Sequence, residues 1–258
     1  MGKFVTKYAY PALFLMGVII AWEVVVRAFN VPLYIFPPPS KVASAMAKFW
    51  SPLLHHFYVT SYETLVGFGI GFAVALPVAV SITYSKFLQN ALYPLLIFAQ
   101  TVPKVAIAPL CLLWLGFGIG SKIFLIILIT IFPIVINTAA GLVAVDREAL
   151  YLIHSLKSSR WQEFSKIRFP NSLPYIFTGL KLAITLSVVG AVIGEFVGGN
   201  EGLGYLIVSA SGQLNTPLVF ACILILAAFG LVLYGAVCLA EKKLMPWYTP
   251  AEMRVGGA

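Results

Sequence analysis

The chain has 258 residues, of which 60% are hydrophobic and only 10% charged, with a formal net charge of +8. Soluble domains carry roughly 25% charged residues, so this composition excludes an ordinary soluble domain and fits a chain that crosses a membrane several times. The basic excess admits two readings, a nucleic-acid footprint or loop charge that orients membrane spans, and the position of the charges decides between them.

Taking about 20 apolar residues as one crossing, six spans are predicted, at 9–29, 60–83, 90–115, 121–144, 173–197 and 217–240. The first follows a basic start, Lys3 and Lys7, as a signal peptide does, but its apolar run continues past Trp22 without a small-residue cleavage pattern and is read as a retained span. Its Glu23 and Arg27 stand four apart on one helical face, where they neutralise each other. A proline-rich piece follows, and from Ser40 an amphipathic surface helix is expected, with the serine as its cap.

Span two carries Gly67 and Gly71 in the spacing that lets helices approach closely, and then Pro77. Its flanks hold His55 and His56, to which the sequence assigns surface or interfacial roles, and Glu63, expected at the membrane interface. Span three contains Pro94, Pro103 and Pro109, and span four Pro133. Kinked, closely packed helices suit a moving pathway better than an inert anchor. Cys111, Cys222 and Cys238 lie in apolar runs with no CxxC spacing and are read as small core residues, with no metal site.

With the N-terminus placed inside, eleven basic residues fall in inner segments: Lys3, Lys7, Lys86, Arg147, Lys157, Arg160, Lys166, Arg168, Lys242, Lys243 and Arg254. Only Lys41 and Lys48 are clearly outside, while Arg27, Lys104, Lys122 and Lys181 lie in or near span ends. An N-in, C-in orientation follows, and the nucleic-acid reading loses its support because no aromatic-interleaved basic patch accompanies the charge.

The densest charge is an internal block, residues 146–168, facing inward under this orientation. It holds Asp146, Glu148 and Glu163 against Arg147, Lys157, Arg160, Lys166 and Arg168. Asp146 is placed to cap a helix whose first turn is acidic, as the macrodipole favours. Ala149, Leu152, Ile153 and Leu156 then recur at helical spacing as one apolar stripe, and Pro170 and Pro174 are expected to end the helical region before span five.

Other chemistry leaves fewer traces. No GxxxxGK[ST] phosphate loop is present, and the paired GFGIG segments at 67–71 and 116–120 do not complete a dinucleotide fingerprint. His154 sits within the charged block without a catalytic constellation. An intramembrane carboxylate or ammonium is by default a functional group, which nominates Glu195 in span five and Lys104 in span three for a translocation path. A membrane enzyme using Glu195 or Glu63 would want a partner carboxylate or a metal cluster at readable spacing, and an ion-coupled secondary transporter would want two inverted halves; neither signal is visible.

The end of the block, Ile167-Arg168-Phe169-Pro170, and its middle, Ser159-Arg160-Trp161-Gln162, resemble the cytoplasmic loop of membrane subunits of binding-protein-dependent ABC importers. That loop reads Glu-Ala-Ala, three residues, Gly, nine residues, Ile-x-Leu-Pro. The match departs at its start, with Tyr151, Leu152 and Ile153 in place of Glu-Ala-Ala and Lys157 in place of the glycine. The stretches TVPKVAIAPLCLLWLGFGIGSKI, PNSLPYIFTGLKLAITLSVVGAVIGEFVGG and NTPLVFACILIL are similar to nitrate/sulfonate/taurine-type permeases, and look closest to the branch for pyrimidine precursors of thiamine.

The resemblance implies an all-α, multi-pass inner-membrane permease of the type I importer class, with no catalytic residues of its own. It implies a homodimer of permeases, a cytoplasmic ABC ATPase dimer that binds ATP and Mg, and an extracytoplasmic solute-binding protein. It further implies that a rigid helix around 148–164 docks in an ATPase groove and couples hydrolysis to the spans, through Glu148, Leu152, Ile153, Leu156, Lys157, Arg160 and Trp161. A sulfonate, taurine or nitrate-type anion importer is the alternative within the family.

Overall fold

A computed structural model describes residues 2–248, and among them every regular element is helical. In chain order these are α1 (Gly2–Ala28), α2 (Pro39–Lys48), α3 (Trp50–Tyr84), α4 (Lys86–Thr101), α5 (Lys104–Leu115), α6 (Ile119–Val143), α7 (Arg147–Ser155), α8 (Arg160–Glu163), a π turn (Phe164–Arg168), α9 (Phe169–Gly198), α10 (Leu203–Gly212) and α11 (Thr216–Leu244). The helices α3, α6 and α11, and the continuous stretch from Arg160 through α9, are long and apolar enough to cross a membrane.

The expected span at 90–115 is broken. Its two parts, α4 and α5, meet at 101°. Ser85 starts α4 by accepting a hydrogen bond from the Leu88 N–H, and Pro103, at the head of α5, has no N–H with which to continue the first helix. Gly116 then ends α5 at a φ of +81°, a conformation that glycine adopts without strain.

Over the described residues the chain divides into two compact units, one of residues up to 59 with 200–227, the other of residues 60–199 with those from 228 onward. In the first, Val42, Leu53, Leu203, Leu218 and Cys222 form the core. Beside it Trp22, Phe36 and Phe220 stack at centroid distances of 5.2–5.7 Å. The expected Glu23–Arg27 pair forms, with Arg27 Nε 2.7 Å from Glu23 Oε1. Ser40, expected to cap α2, instead turns toward α1: its N–H and hydroxyl both donate to Glu23, at 3.0 and 2.7 Å. A carboxylate is a stronger acceptor than water for an orphan first-turn N–H, and so Glu23 takes over the capping role.

In the second unit α6 and α9 pack along most of their lengths. Small residues make the approach close. On α3, Gly67 lies against Ile126 and Gly71 against Thr130, both on α6. On α9, Gly190 faces Ile126 and Ile129, and Gly194 faces the stem of Lys122. Ile134, Val135, Ile176, Leu180 and Ala183 fill the space further along, with Ala75, Ala79 and Ile82 from α3. Cys111 and Cys222 are buried and Cys238 is half-buried.

Candidate coupling segment and intramembrane charged cluster

The internal charged block folds as two helices joined by a turn, where the sequence led us to expect one rod from 148 to 164. Asp146 caps α7 as its position predicts, accepting from the Glu148 N–H at 3.1 Å. The far end is set by the backbone. The N–H of Lys157 donates to His154 O at 2.9 Å and that of Ser158 to Ile153 O at 3.3 Å, the paired bonds of a Schellman ending. The motif needs a left-handed residue, and Lys157 supplies it at a φ of +54°. Lys157 therefore adopts the conformation that a glycine would favour at the same place. Beyond the turn, Ser159 and Gln162 form a reciprocal capping box that starts α8, with bonds of 2.8 and 3.3 Å.

Pro170 and Pro174 do not end the helix. The chain runs on into α9, with Pro174 inside it, and for Pro170 the π turn just before it gives the reason. Phe169 N–H donates to Phe164 O, five residues back, and this wider turn admits a ring that would clash with the carbonyl of a regular helix.

The predicted apolar stripe divides between two directions. Ile153 is buried, while Leu152 and Leu156 are exposed, together with Tyr151 and Trp161, all four between 66% and 73%. Glu148, Lys157 and Arg160 are exposed on the same segment. What emerges is a solvent-facing apolar patch with charged neighbours, anchored from below by Ile153.

Residues absent from the sequence-based selection hold this segment in place. Glu163 accepts from Arg168 Nε at 2.6 Å and lies 3.0 Å from His154 Nε2 on α7. Arg168 also donates through Nη1 to the Leu142 carbonyl at 2.9 Å, in the last turn of α6. Asn171 donates to the Gly141 and Ala144 carbonyls, each at 3.2 Å. These contacts satisfy carbonyls that a helix end leaves without intrahelical partners, and the guanidinium suits the negative end of the α6 dipole. The hydrogen bond with His154, aided by Arg168 and opposed by burial, holds the Glu163 carboxyl below its ordinary value. Helical spacing could not reveal the Glu163–Arg168 pair, because residues five apart face each other only across a π turn.

A second polar constellation lies within the spans. Glu63, expected at the interface, is fully buried on α3, and Lys122, expected near a span end, is 6% exposed on α6. Lys122 Nζ and Glu63 Oε1 are 2.6 Å apart. Each charge makes the burial of the other tolerable. Thr60, one turn before Glu63, donates to Glu195 Oε1 on α9 at 2.6 Å, and Glu195 is buried as well. Lys104 is elsewhere in its bonding: its ammonium reaches the Gln100 carbonyl at 3.4 Å, across the α4–α5 bend. Among the described residues no ion pair joins Lys104 to Glu195.

Residues 66–245 match the family described as the binding-protein-dependent transport system inner membrane component. The chain belongs to this family. The permease is 33% identical over 239 residues to the formylaminopyrimidine transport permease protein ThiX of Halalkalibacterium halodurans, covering 92% of this chain and 95% of that protein. It is 35% identical to the riboflavin transport system permease protein RibX of Chloroflexus aurantiacus, covering 93% and 92%. It is 34% identical to the aliphatic sulfonates permease SsuC of Bacillus subtilis, described as putative, covering 93% and 88%. Among solved structures, an inward-facing MetNI methionine ABC transporter gives a TM-score of 0.62 at 16% identity, covering 72% of the permease and 93% of that chain. An amino acid ABC transporter with histidines gives 0.63 at 17%, covering 77% and 96%. The permease thus has the all-helical fold of type I importer membrane subunits and is a multi-pass protein of the inner membrane.

Proposed function

We propose that the permease is the membrane half of an ATP-driven importer for a small heteroaromatic solute of the pyrimidine type. In this reading it spans the membrane six times, N-in and C-in, pairs with a second copy of itself, and receives solute from an extracytoplasmic binding protein. A cytoplasmic ABC ATPase dimer holds ATP and Mg and grips residues 147–163.

The exposed patch of Tyr151, Leu152, Leu156 and Trp161 carries this reading. Four large apolar side chains on a segment flanked by charge are poorly placed in water and well placed in a partner's groove, the helix-in-groove mode of recognition. Closure of the ATPase pair then moves the segment and rocks the spans between inward and outward access. The solute assignment rests on the formylaminopyrimidine and riboflavin relatives. The SsuC relative, at 34% identity, supports an alkanesulfonate importer as the second reading.

Replacing Trp161 by Ala together with Arg160 by Glu is expected to weaken retention of the ATPase subunit by at least about tenfold, the scale of losing an interface anchor. Unchanged assembly and unchanged substrate-stimulated hydrolysis would refute the docking. Proteoliposomes holding permease, ATPase and binding protein distinguish the solutes: uptake of labelled formylaminopyrimidine supports the first reading, and uptake of an alkanesulfonate alone the second. Glu195 and Lys104 remain the proposed path residues, and transport at normal affinity in Glu195→Gln and Lys104→Met removes them.

A further inference from the structure

The proposed coupling segment runs directly into α9 and is tied by side-chain hydrogen bonds to the end of α6 through Arg168 and Asn171. Arg168 is the last residue of the π turn, and it donates to the Glu163 carboxylate on one side and to the Leu142 carbonyl on the other. Glu163 in turn reaches His154 on α7, so α7 and α8 are linked through this carboxylate to the guanidinium that sits on the end of α6. Both Arg168 bonds are donated by the charged guanidinium and are charge-assisted, and the one to Glu163, at 2.6 Å, joins two ions.

The helix it holds is also distinctive. Near its other end α6 carries Lys122, paired with Glu63 on α3 inside the bundle. Lys122 and Leu142 are separated by about 30 Å along the axis at a rise of roughly 1.5 Å per residue. Between them α6 is packed against glycines of both α3 and α9. Pro133 lies between these two points, so it is the packing of α6 against α3 and α9 that joins the end held by the buried ion pair to the end held by the guanidinium.

We propose that Arg168 is the positioning residue that passes movement of the docking segment to α6, with Glu163 holding its guanidinium on the Leu142 carbonyl. The inference rests on the docking of residues 147–163 proposed above. Arg168 does not touch nucleotide or solute; it acts through α6. An arginine is suited to the task because its planar fork bonds two acceptors at fixed angles, which a lysine ammonium does not reproduce.

Hydrogen exchange separates the two claims. The permease in complex with its ATPase subunit is compared without nucleotide and after trapping with ATP and vanadate, with the amides of α7 and of the last turn of α6 followed separately. In the wild type both segments are expected to change exchange rate on trapping. In Arg168→Gln, α7 keeps its response while that of the α6 turn falls about tenfold, within the range for loss of a coupling contact. Glu163→Gln, which retains the Leu142 contact, is expected to reduce the α6 response about threefold and serves if the arginine variant fails to fold. A merely structural contact would raise α6 exchange equally in both nucleotide states and leave the difference intact; that result overturns the proposal. An α7 that the ATPase fails to protect in the wild type refutes the docking itself, and the joint with it.

Discussion

Lys157 offers the sharpest test of how the segment proposed for coupling is built. Its φ of +54° closes the Schellman ending of α7. A left-handed conformation costs an L residue roughly 1–2 kcal/mol, and glycine avoids that cost. Glycine also adds freedom to the unfolded chain, which offsets about 0.4–1 kcal/mol of the gain. Lys157→Gly should therefore stabilise the end of α7 by about 0.5–1 kcal/mol. Hydrogen exchange of the α7 amides reads this locally, and a two- to fivefold slowing is expected at roughly 1.4 kcal/mol per tenfold. Lys157→Ala separates backbone from charge: alanine is strained at the same φ, so exchange should stay near wild type. If alanine slows exchange as much as glycine does, removal of the ammonium is responsible and the backbone argument fails.

Three further outcomes follow from the packing and charges. Lys122→Met leaves Glu63 without its ammonium and should lower stability by about 3–5 kcal/mol, with partial recovery in the Glu63→Gln/Lys122→Met double variant; the unfolding temperature, read by a thiol-reactive dye reaching buried Cys111 and Cys222, checks it. Gly67→Ala should destabilise by about 1–3 kcal/mol through overpacking, because its Cβ would lie 2.6 Å from Ile126 Cγ2, whereas Gly69→Ala meets open space and should be tolerated in the same assay. The carboxyl carbon shift of Glu163 should titrate below the ordinary 4.5 and move up toward it in His154→Ala. Because the folded value is depressed, the Glu163 contribution to stability is complete above 4.5 and is lost as pH falls through the lower folded value. An unmoved midpoint in His154→Ala would remove His154 from the latch.

What the sequence disclosed followed from local rules. Long apolar runs marked α3, α6, α9 and α11, the Gly67–Gly71 spacing marked a close helix approach, and Asp146 marked the start of α7. What it concealed depended on distance or on unusual backbone. Glu63 and Lys122 lie on different spans, and no pattern within either span announces the pair. Glu63 therefore looked interfacial, as a lone carboxylate at a span edge should. The α7–α8 turn was concealed because lysine carries no signal for positive φ, and the Glu163–Arg168 bond because the π turn shifts the helical register. The prolines were visible, but their effects differ with context: Pro103 coincides with a sharp bend, while Pro170 is absorbed by the wider turn before it.

The two departures from the family's loop pattern now take on opposite meanings. Lys157 departs in side chain but holds a φ of +54°, a conformation that glycine adopts without strain. Tyr151 departs in what it presents: 72% exposed, it extends the surface formed by Leu152, Leu156 and Trp161 where the family pattern has a small charged-to-alanine run. On the docking proposed above, the groove that takes this segment is expected to be wider and more apolar at the α7 end than one shaped for Glu-Ala-Ala. On the same docking, Tyr151→Ala is the substitution expected to let a non-cognate ATPase subunit gain relative to the cognate one in co-purification, and an unchanged ratio would refute a groove fitted to Tyr151.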